Sequence, residues 1–183
     1  MKSFKQKVAV ITGAGSGMGR YLAVLLAKDG ADVCVCDVNE ETLNETVAML
    51  RKYNVSVSSH LLDVSDKELI EALPQKVIDQ HGKVDLVFNN AGVTTGAHFK
   101  DMDEDNWDWV MGINFEGVVN STRAFIPHLI NSSEAAIINT SSIFGMVTVP
   151  GQTVYHATKF AIRGFTESLA LEMKQTNPNL QIH

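Results

Sequence analysis

Tyr155 and Lys159 are the residues of this 183-residue chain whose types and spacing most directly suggest chemistry. They stand four apart inside a helical pattern, so both project from one helix face. Ser141 and Ser142 precede the tyrosine by about thirteen residues and close a β-rich run. A phenol with the ordinary pKa of about 10 exchanges protons poorly at neutral pH. An ammonium one turn away favours the phenolate, as does any other positive charge nearby. Such a phenol suits a reaction in which an alkoxide gains or loses a proton while hydride moves at the neighbouring carbon. Taken alone, the Tyr and Lys would form a surface pair and the serines strand-end polar groups. The case rests on what accompanies them.

What accompanies them is a nucleotide-like end. Thr12-Gly13-Ala14-Gly15-Ser16-Gly17-Met18-Gly19 follows an apolar run and opens a helical one. A glycine turn there lets backbone approach a pyrophosphate, which the helix N-terminus attracts through free amides and dipole. The pattern is G-x-x-x-G-x-G on Gly13, Gly17 and Gly19, not G-x-G-x-x-G, and no Lys-Ser/Thr pair marks a mononucleotide loop. Asp37 closes the second β-rich run about twenty residues further on. A carboxylate there accepts from ribose hydroxyls and repels a 2′-phosphate. No basic residue stands beside it, and Ser16 and Met18 occupy turn positions where one would serve that phosphate. NAD is therefore expected over NADP. Asp63 and Val64 either border the adenine or, for Asp63, cap the next helix. Asn89-Asn90-Ala91-Gly92 combines small residues, which permit close approach, with amides able to tie loops together.

These residues need a scaffold, and the chain alternates strand-like with helical runs. Strands are expected at 7–12, Asp32–Asp37, 55–62, 84–89, 135–141 and 180–183. Helices are expected at Gly17–Lys28, 40–53, 65–81, 105–130 and 153–174, with Pro74 kinking or restarting the third. Parallel strands joined by right-handed crossovers give an α/β, doubly wound, Rossmann-like sheet with helices on both faces. Its ligand crevice lies at the carboxyl ends of the strands, where every residue above falls. The length suits one domain, 1–183. A net charge of −6 and pI near 5.4 provide no general attraction to nucleic acid or anionic membrane. No apolar run is long enough to span a bilayer and the N-terminus lacks a signal-peptide pattern, so a cytoplasmic location is expected. Cys34 and Cys36 read as alternating positions on a buried strand rather than as metal ligands, and no metal is expected. His98 and His156 read as exposed.

Thr12-Gly13-x-x-x-Gly17-x-Gly19, Asn89-Asn90-Ala91-Gly92, Asn114, Ser142 and Tyr155-x-x-x-Lys159 together resemble the short-chain dehydrogenases/reductases, in order and along the whole chain. The resemblance implies hydride transfer between NAD(H) and a small alcohol or carbonyl substrate, with Tyr155 as general acid/base. It implies that Lys159 lowers the pKa of Tyr155 and holds the nicotinamide ribose, and that Ser142, thirteen before the tyrosine, orients the substrate oxygen. Asn114 would hold a water extending a proton relay, and Gly112 and Gly117 beside it suggest a local helix irregularity. Helices 105–130 and 153–174 are those through which members often form homodimers or homotetramers. Members usually continue past strand six with a substrate segment that this sequence lacks, so the chain is expected to be a truncated form. Residues 93–99 and 143–152 should line the pocket, whose Phe144, Met146, Val147 and Val149 hint at an apolar substrate. Two competing readings are an NAD-binding sensor or scaffold without chemistry, and a different reaction on the same fold.

Overall fold

The computed structural model describes residues 3–183. Six short apolar runs form strands: β1 (Val8–Thr12), β2 (Asp32–Asp37), β3 (Val57–Leu61), β4 (Leu86–Asn89), β5 (Ala135–Asn139) and β6 (Leu180–Ile182). They make one parallel sheet in the order β3-β2-β1-β4-β5-β6. The order reverses between β1 and β4, which opens a crevice at the carboxyl ends of these two strands. The fold is thus the doubly wound, Rossmann-like one expected.

The helices are α1 (Gly17–Lys28), α2 (Glu40–Leu50), α3 (Lys67–His81), α4 (Glu104–Met111), α5 (Gly117–Leu129) and α6 (Thr153–Thr176). Every residue of β1 is buried, and its side chains alternate between two layers. Val8 and Val10 join Ile70, Leu73 and Val77 of α3 with Phe125 and Leu129 of α5. Ala9 and Ile11 join Ala23 and Leu26 of α1 with Leu43 and Leu50 of α2. Cys34 and Cys36 are buried free thiols in the first layer. Among the described residues no helix is long and apolar enough to cross a membrane.

Three elements depart from the sequence-based expectation. The single helix expected at 105–130 is divided into α4 and α5 by a π-helical turn, Gly112–Glu116. A π turn admits an extra residue and rotates the helix beyond it, and here Asn114 lies fully buried within it. Gly117, at the exit, passes so close to the segment after β3 that a Cβ would sit 3.0 Å from Val64 Cγ2. Pro74 neither stops nor restarts α3, which runs unbroken from Lys67 to His81. Pro74 is itself buried, and core contact compensates the one backbone bond its missing amide forfeits. The third strand is shorter than expected, spanning five residues, Val57–Leu61, against 55–62. Helix starts follow local chemistry: Asn39 Oδ1 accepts from the Thr42 amide and Asp66 Oδ1 from the Leu69 amide.

Phe125 is fully buried between α3 and the sheet. Phe125→Ala should lower unfolding free energy by about 3–5 kcal/mol, read from the urea midpoint of the two variants at equal m.

Candidate active site

The glycine turn is built by contacts that exclude side chains. Gly13 has φ +65°, and a Cβ there would lie 2.7 Å from Ala91 Cα. A Cβ on Gly19 would collide with the Gly13 carbonyl and lie 2.6 Å from Asn90 Nδ2. The first turn of α1 therefore sits directly on the ends of β1 and β4. The turn's carbonyls are drawn backward toward α2. Arg20 donates to the Gly15 and Thr42 carbonyls and to Thr46 Oγ1, and Thr46 Oγ1 donates to the Ala14 carbonyl at 2.9 Å. Ser16, the N-cap of α1, makes no side-chain cap, and the first turn holds no acidic residue. Its amides and positive dipole end are left for an anion.

A cleft of about 430 Å³ opens there. It is lined by Gly13, Ser16, Gly17, Met18, Gly19, Asp37, Asp63, Val64, Asn90, Ala91 and Gly92, all of them expected from the sequence, so the structure brings these residues to one place. Asp37 Oδ2 accepts from the Gly15 amide at 2.7 Å and Oδ1 from the Asn39 amide at 3.0 Å, which fixes the carboxylate at the rim of the turn. Of the two alternatives for Asp63, the structure favours the cleft over the helix cap. The residue faces the cleft, and its Oδ1 accepts from the amide and hydroxyl of Ser65. Asp66 is the N-cap of α3.

The Asn89-Asn90-Ala91-Gly92 segment works as a tie. Asn89 Nδ2 donates to Asn139 Oδ1 at 2.8 Å and to Thr122 Oγ1. Asn90 Nδ2 donates to the Thr12 and Gly13 carbonyls. Thr12 Oγ1 in turn accepts from the amides of Asn90 and Ala91 at 3.0 and 3.1 Å. The ends of β1, β4 and β5 are thereby held in one register of side-chain bonds.

The second group of residues lies beyond β4: Asn114, Ser142, Tyr155 and Lys159 do not line the cleft, and Asn114 and Lys159 approach it through Gly92. Tyr155 and Lys159 occupy the first two turns of α6, and Lys159 Nζ lies 5.5 Å from the Tyr155 ring centre. The lysine is buried, and its Nζ donates to the Thr140 carbonyl at 2.9 Å. Burial lowers its pKa from 10.5 to about 8. Ser141 Oγ donates to the Lys159 carbonyl, whereas Ser142 Oγ accepts from the Phe144 amide and keeps its O–H for another acceptor. Of the two serines, Ser141 is thus used within the fold and Ser142 is the freer.

Asn114 pairs both ways with the Val93 backbone at 2.8 Å and donates to Thr158 Oγ1. Its Oδ1 and Lys159 Nζ flank Gly92, at 3.3 and 3.7 Å from where a Cβ would stand. The π turn, the loop after β4 and α6 therefore converge on Gly92.

Sequence reasoning missed several residues here. Val38, Leu62, Trp109 and Ile113 also line the cleft. They are apolar residues on separate elements, and nothing in their local spacing marks them. Of the segments 93–99 and 143–152 expected at the pocket, only Val93 lines the cleft. His156 is a correction: expected to be exposed, it is 6% accessible and hydrogen-bonded through both ring nitrogens. Its neighbour Tyr155 was legible, but the residue beside it on a helix points elsewhere, and only the fold shows where. His98 is exposed, as expected.

Comparison with known proteins agrees with this geometry. Residues 7–182 match the family model for short chain dehydrogenases. The Mycobacterium tuberculosis protein SadH is 43% identical over 173 residues, covering 94% of this chain and 63% of its own length. The 3-oxoacyl-acyl-carrier-protein reductase FabG of Thermotoga maritima is 36% identical over 171 residues, covering 93% of this chain and 70% of its own. A short chain dehydrogenase/reductase of Burkholderia phymatum, solved in complex with NAD, superposes with a TM-score of 0.96 at 37% identity, over 99% of this chain and 65% of that one. The chain thus spans just under two thirds of SadH and of the Burkholderia protein. With fold, site and relatives in agreement, the chain belongs to the short-chain dehydrogenase/reductase family.

Proposed function

We propose that this chain carries the cofactor-binding and catalytic part of an NAD-dependent oxidoreductase acting on a small alcohol or carbonyl compound. The observation that carries the reading is the buried Lys159 ammonium beneath the Tyr155 ring, next to Gly92, which lines the glycine-turn cleft. The NAD-bound relative from Burkholderia phymatum supports the choice of cofactor class.

The residues present fit a dinucleotide. Uncapped amides at the start of α1 suit the pyrophosphate, Asp37 suits the adenosine ribose hydroxyls, and Val38, Leu62 and Val64 suit the adenine. When bound, NAD supplies the hydride acceptor or donor. Around it, Tyr155 transfers the proton of the substrate hydroxyl, with the ammonium of Lys159 5.5 Å from its ring centre. Ser142 donates its free O–H to the substrate oxygen and steadies the charge developing there. Asn114 holds the main chain at Val93 and stands across Gly92 from the Lys159 ammonium, a place from which a water can connect Lys159 to solvent. Asp37 selects against a 2′-phosphate, so NAD is preferred over NADP. Self-association into a homodimer or homotetramer fits the exposure of Phe160 and Leu171, which are eleven residues apart on α6 and so lie on one stripe.

Tyr155→Phe in the full-length protein should abolish NAD-linked turnover over a panel of secondary alcohols, while the Kd for NADH stays within about threefold of wild type. Retained turnover would overturn the mechanism, and a wild-type protein that binds NADH yet turns over no substrate would favour a sensor. Asp37→Ser should raise the Kd for NADH and lower that for NADPH, moving their ratio by about tenfold or more; an unmoved ratio would take cofactor choice away from Asp37. The lowered pKa of Lys159 also has a pH signature. Between about pH 8 and 10.5 the unfolded chain keeps a proton on Lys159 that the folded chain has released. Stability contributed by this group therefore rises with pH through that window. The unfolding free energy of wild type relative to Lys159→Met should climb across that same window in the apo protein. A pH-independent difference would mean that the ammonium is not desolvated.

A further inference from the structure

The loop between Ser142 and Tyr155 has a geometry that its own sequence does not dictate. After the short 3-10 turn Ile143–Gly145, it runs in open backbone to Gly151, at φ +81°, and enters α6. Ile143, Met146, Val147 and Val149 are all exposed on it. An exposed apolar loop of this length has many conformations of similar energy, and ordering it costs entropy.

One side chain holds it at two points. His156 Nε2 accepts from the Val149 amide at 2.9 Å, and Nδ1 lies 2.9 Å from the Phe144 carbonyl. An acceptor at Nε2 and a carbonyl facing Nδ1 are satisfied together by only one form of the ring, the neutral tautomer with its proton on Nδ1. The imidazole also packs on the Phe144 ring at 4.8 Å between centres, and Phe144 in turn meets the Tyr155 ring edge-on at 6.2 Å. Nothing in the proposed chemistry uses this buried histidine.

We infer that His156 is a positioning residue which clips residues 144–149 into a fixed arch between Ser142 and Tyr155, so that the arch forms one wall of the substrate site. The wall presents thioether and branched aliphatic side chains, which suits secondary alcohols bearing an apolar chain. Its role in catalysis rests on the dehydrogenase reading above, but the clip itself does not. His156 fixes where Ile143, Met146, Val147 and Val149 stand, and steadies the Phe144 ring against Tyr155, without touching the reacting atoms.

Three substitutions separate the ring's two bonds. His156→Gln keeps an acceptor at the Nε2 position, His156→Asn keeps a donor at the Nδ1 position, and His156→Leu keeps neither. Amide exchange of Val149, followed by NMR on the full-length protein, should be slow in wild type and in His156→Gln. It should speed up by about tenfold or more in His156→Asn and His156→Leu. With NAD⁺ and the 2-alkanols from 2-propanol to 2-octanol, His156→Leu should raise KM several-fold for the longer members, with a smaller change in kcat. The Kd for NADH should not move. A Val149 amide that exchanges equally fast in wild type and His156→Leu would overturn the inference, as would unchanged KM across the series. If His156→Leu fails to fold, wild type alone decides through the ring tautomer read by ¹⁵N shifts. A proton on Nε2 would refute the clip, and a proton on Nδ1 would support it. If wild type oxidises none of the alkanols, the dehydrogenase reading fails and the exchange series judges the clip by itself.

Discussion

The structure depends most on a positive charge kept out of water. Lys159 lies buried at the carboxyl end of β5, where its ammonium has the Thr140 carbonyl as a partner and Tyr155 as a neighbour. A desolvated ammonium is costly unless hydrogen-bonded, and keeping the Thr140 carbonyl in reach requires α6 to stay in place against β5. Ser141 ties the strand end to the Lys159 carbonyl, and Asn139 donates to Thr166 a little further along α6. The helix cannot slide along β5 without breaking these bonds together. The same desolvation that costs stability lowers the lysine's pKa from 10.5 to about 8.

A second constraint runs across the sheet. Asn89 and Asn139 occupy facing positions on β4 and β5, and their side chains bond within the buried layer. Asn90 and Thr12 continue the connection to β1. Buried amides left unpaired would be expensive, so this set either forms completely or destabilises the sheet. Because it forms, the glycine turn after β1 and the helix after β5 keep a fixed separation across the crevice. The π turn adds Asn114 to that frame from a third direction, since the extra residue rotates its side chain toward Val93 and Thr158.

Fold and site are legible in the sequence to different depths. Periodicity locates every strand and most helix boundaries, and α1 and β2 fall on the residues read from it. Where sequence and structure differ, the missing ingredient is tertiary. Pro74 reads as a kink or restart because local propensity cannot include the burial that accompanies it in the fold. The helix at 105–130 reads as continuous because a π turn preserves helical hydrophobic spacing on either side, although Gly112 and Gly117 do signal an irregularity. His156 reads as exposed because a histidine between a tyrosine and an alanine has no sequence feature that names its partners. The apolar residues lining the cleft, Trp109 and Ile113 among them, are invisible for the same reason.

The sequence by itself determined the alternation of strands and helices, the glycine turn, and the four-residue spacing that puts a phenol and an ammonium on one helix face. These are local matters, fixed by covalent spacing and backbone sterics. Only the tertiary structure decided which serine is spent on the backbone, how deeply Lys159 is desolvated, and where His156 and Asn114 point. Each of those depends on groups far apart in the chain, because burial and hydrogen-bond partnership arise only when separate elements pack.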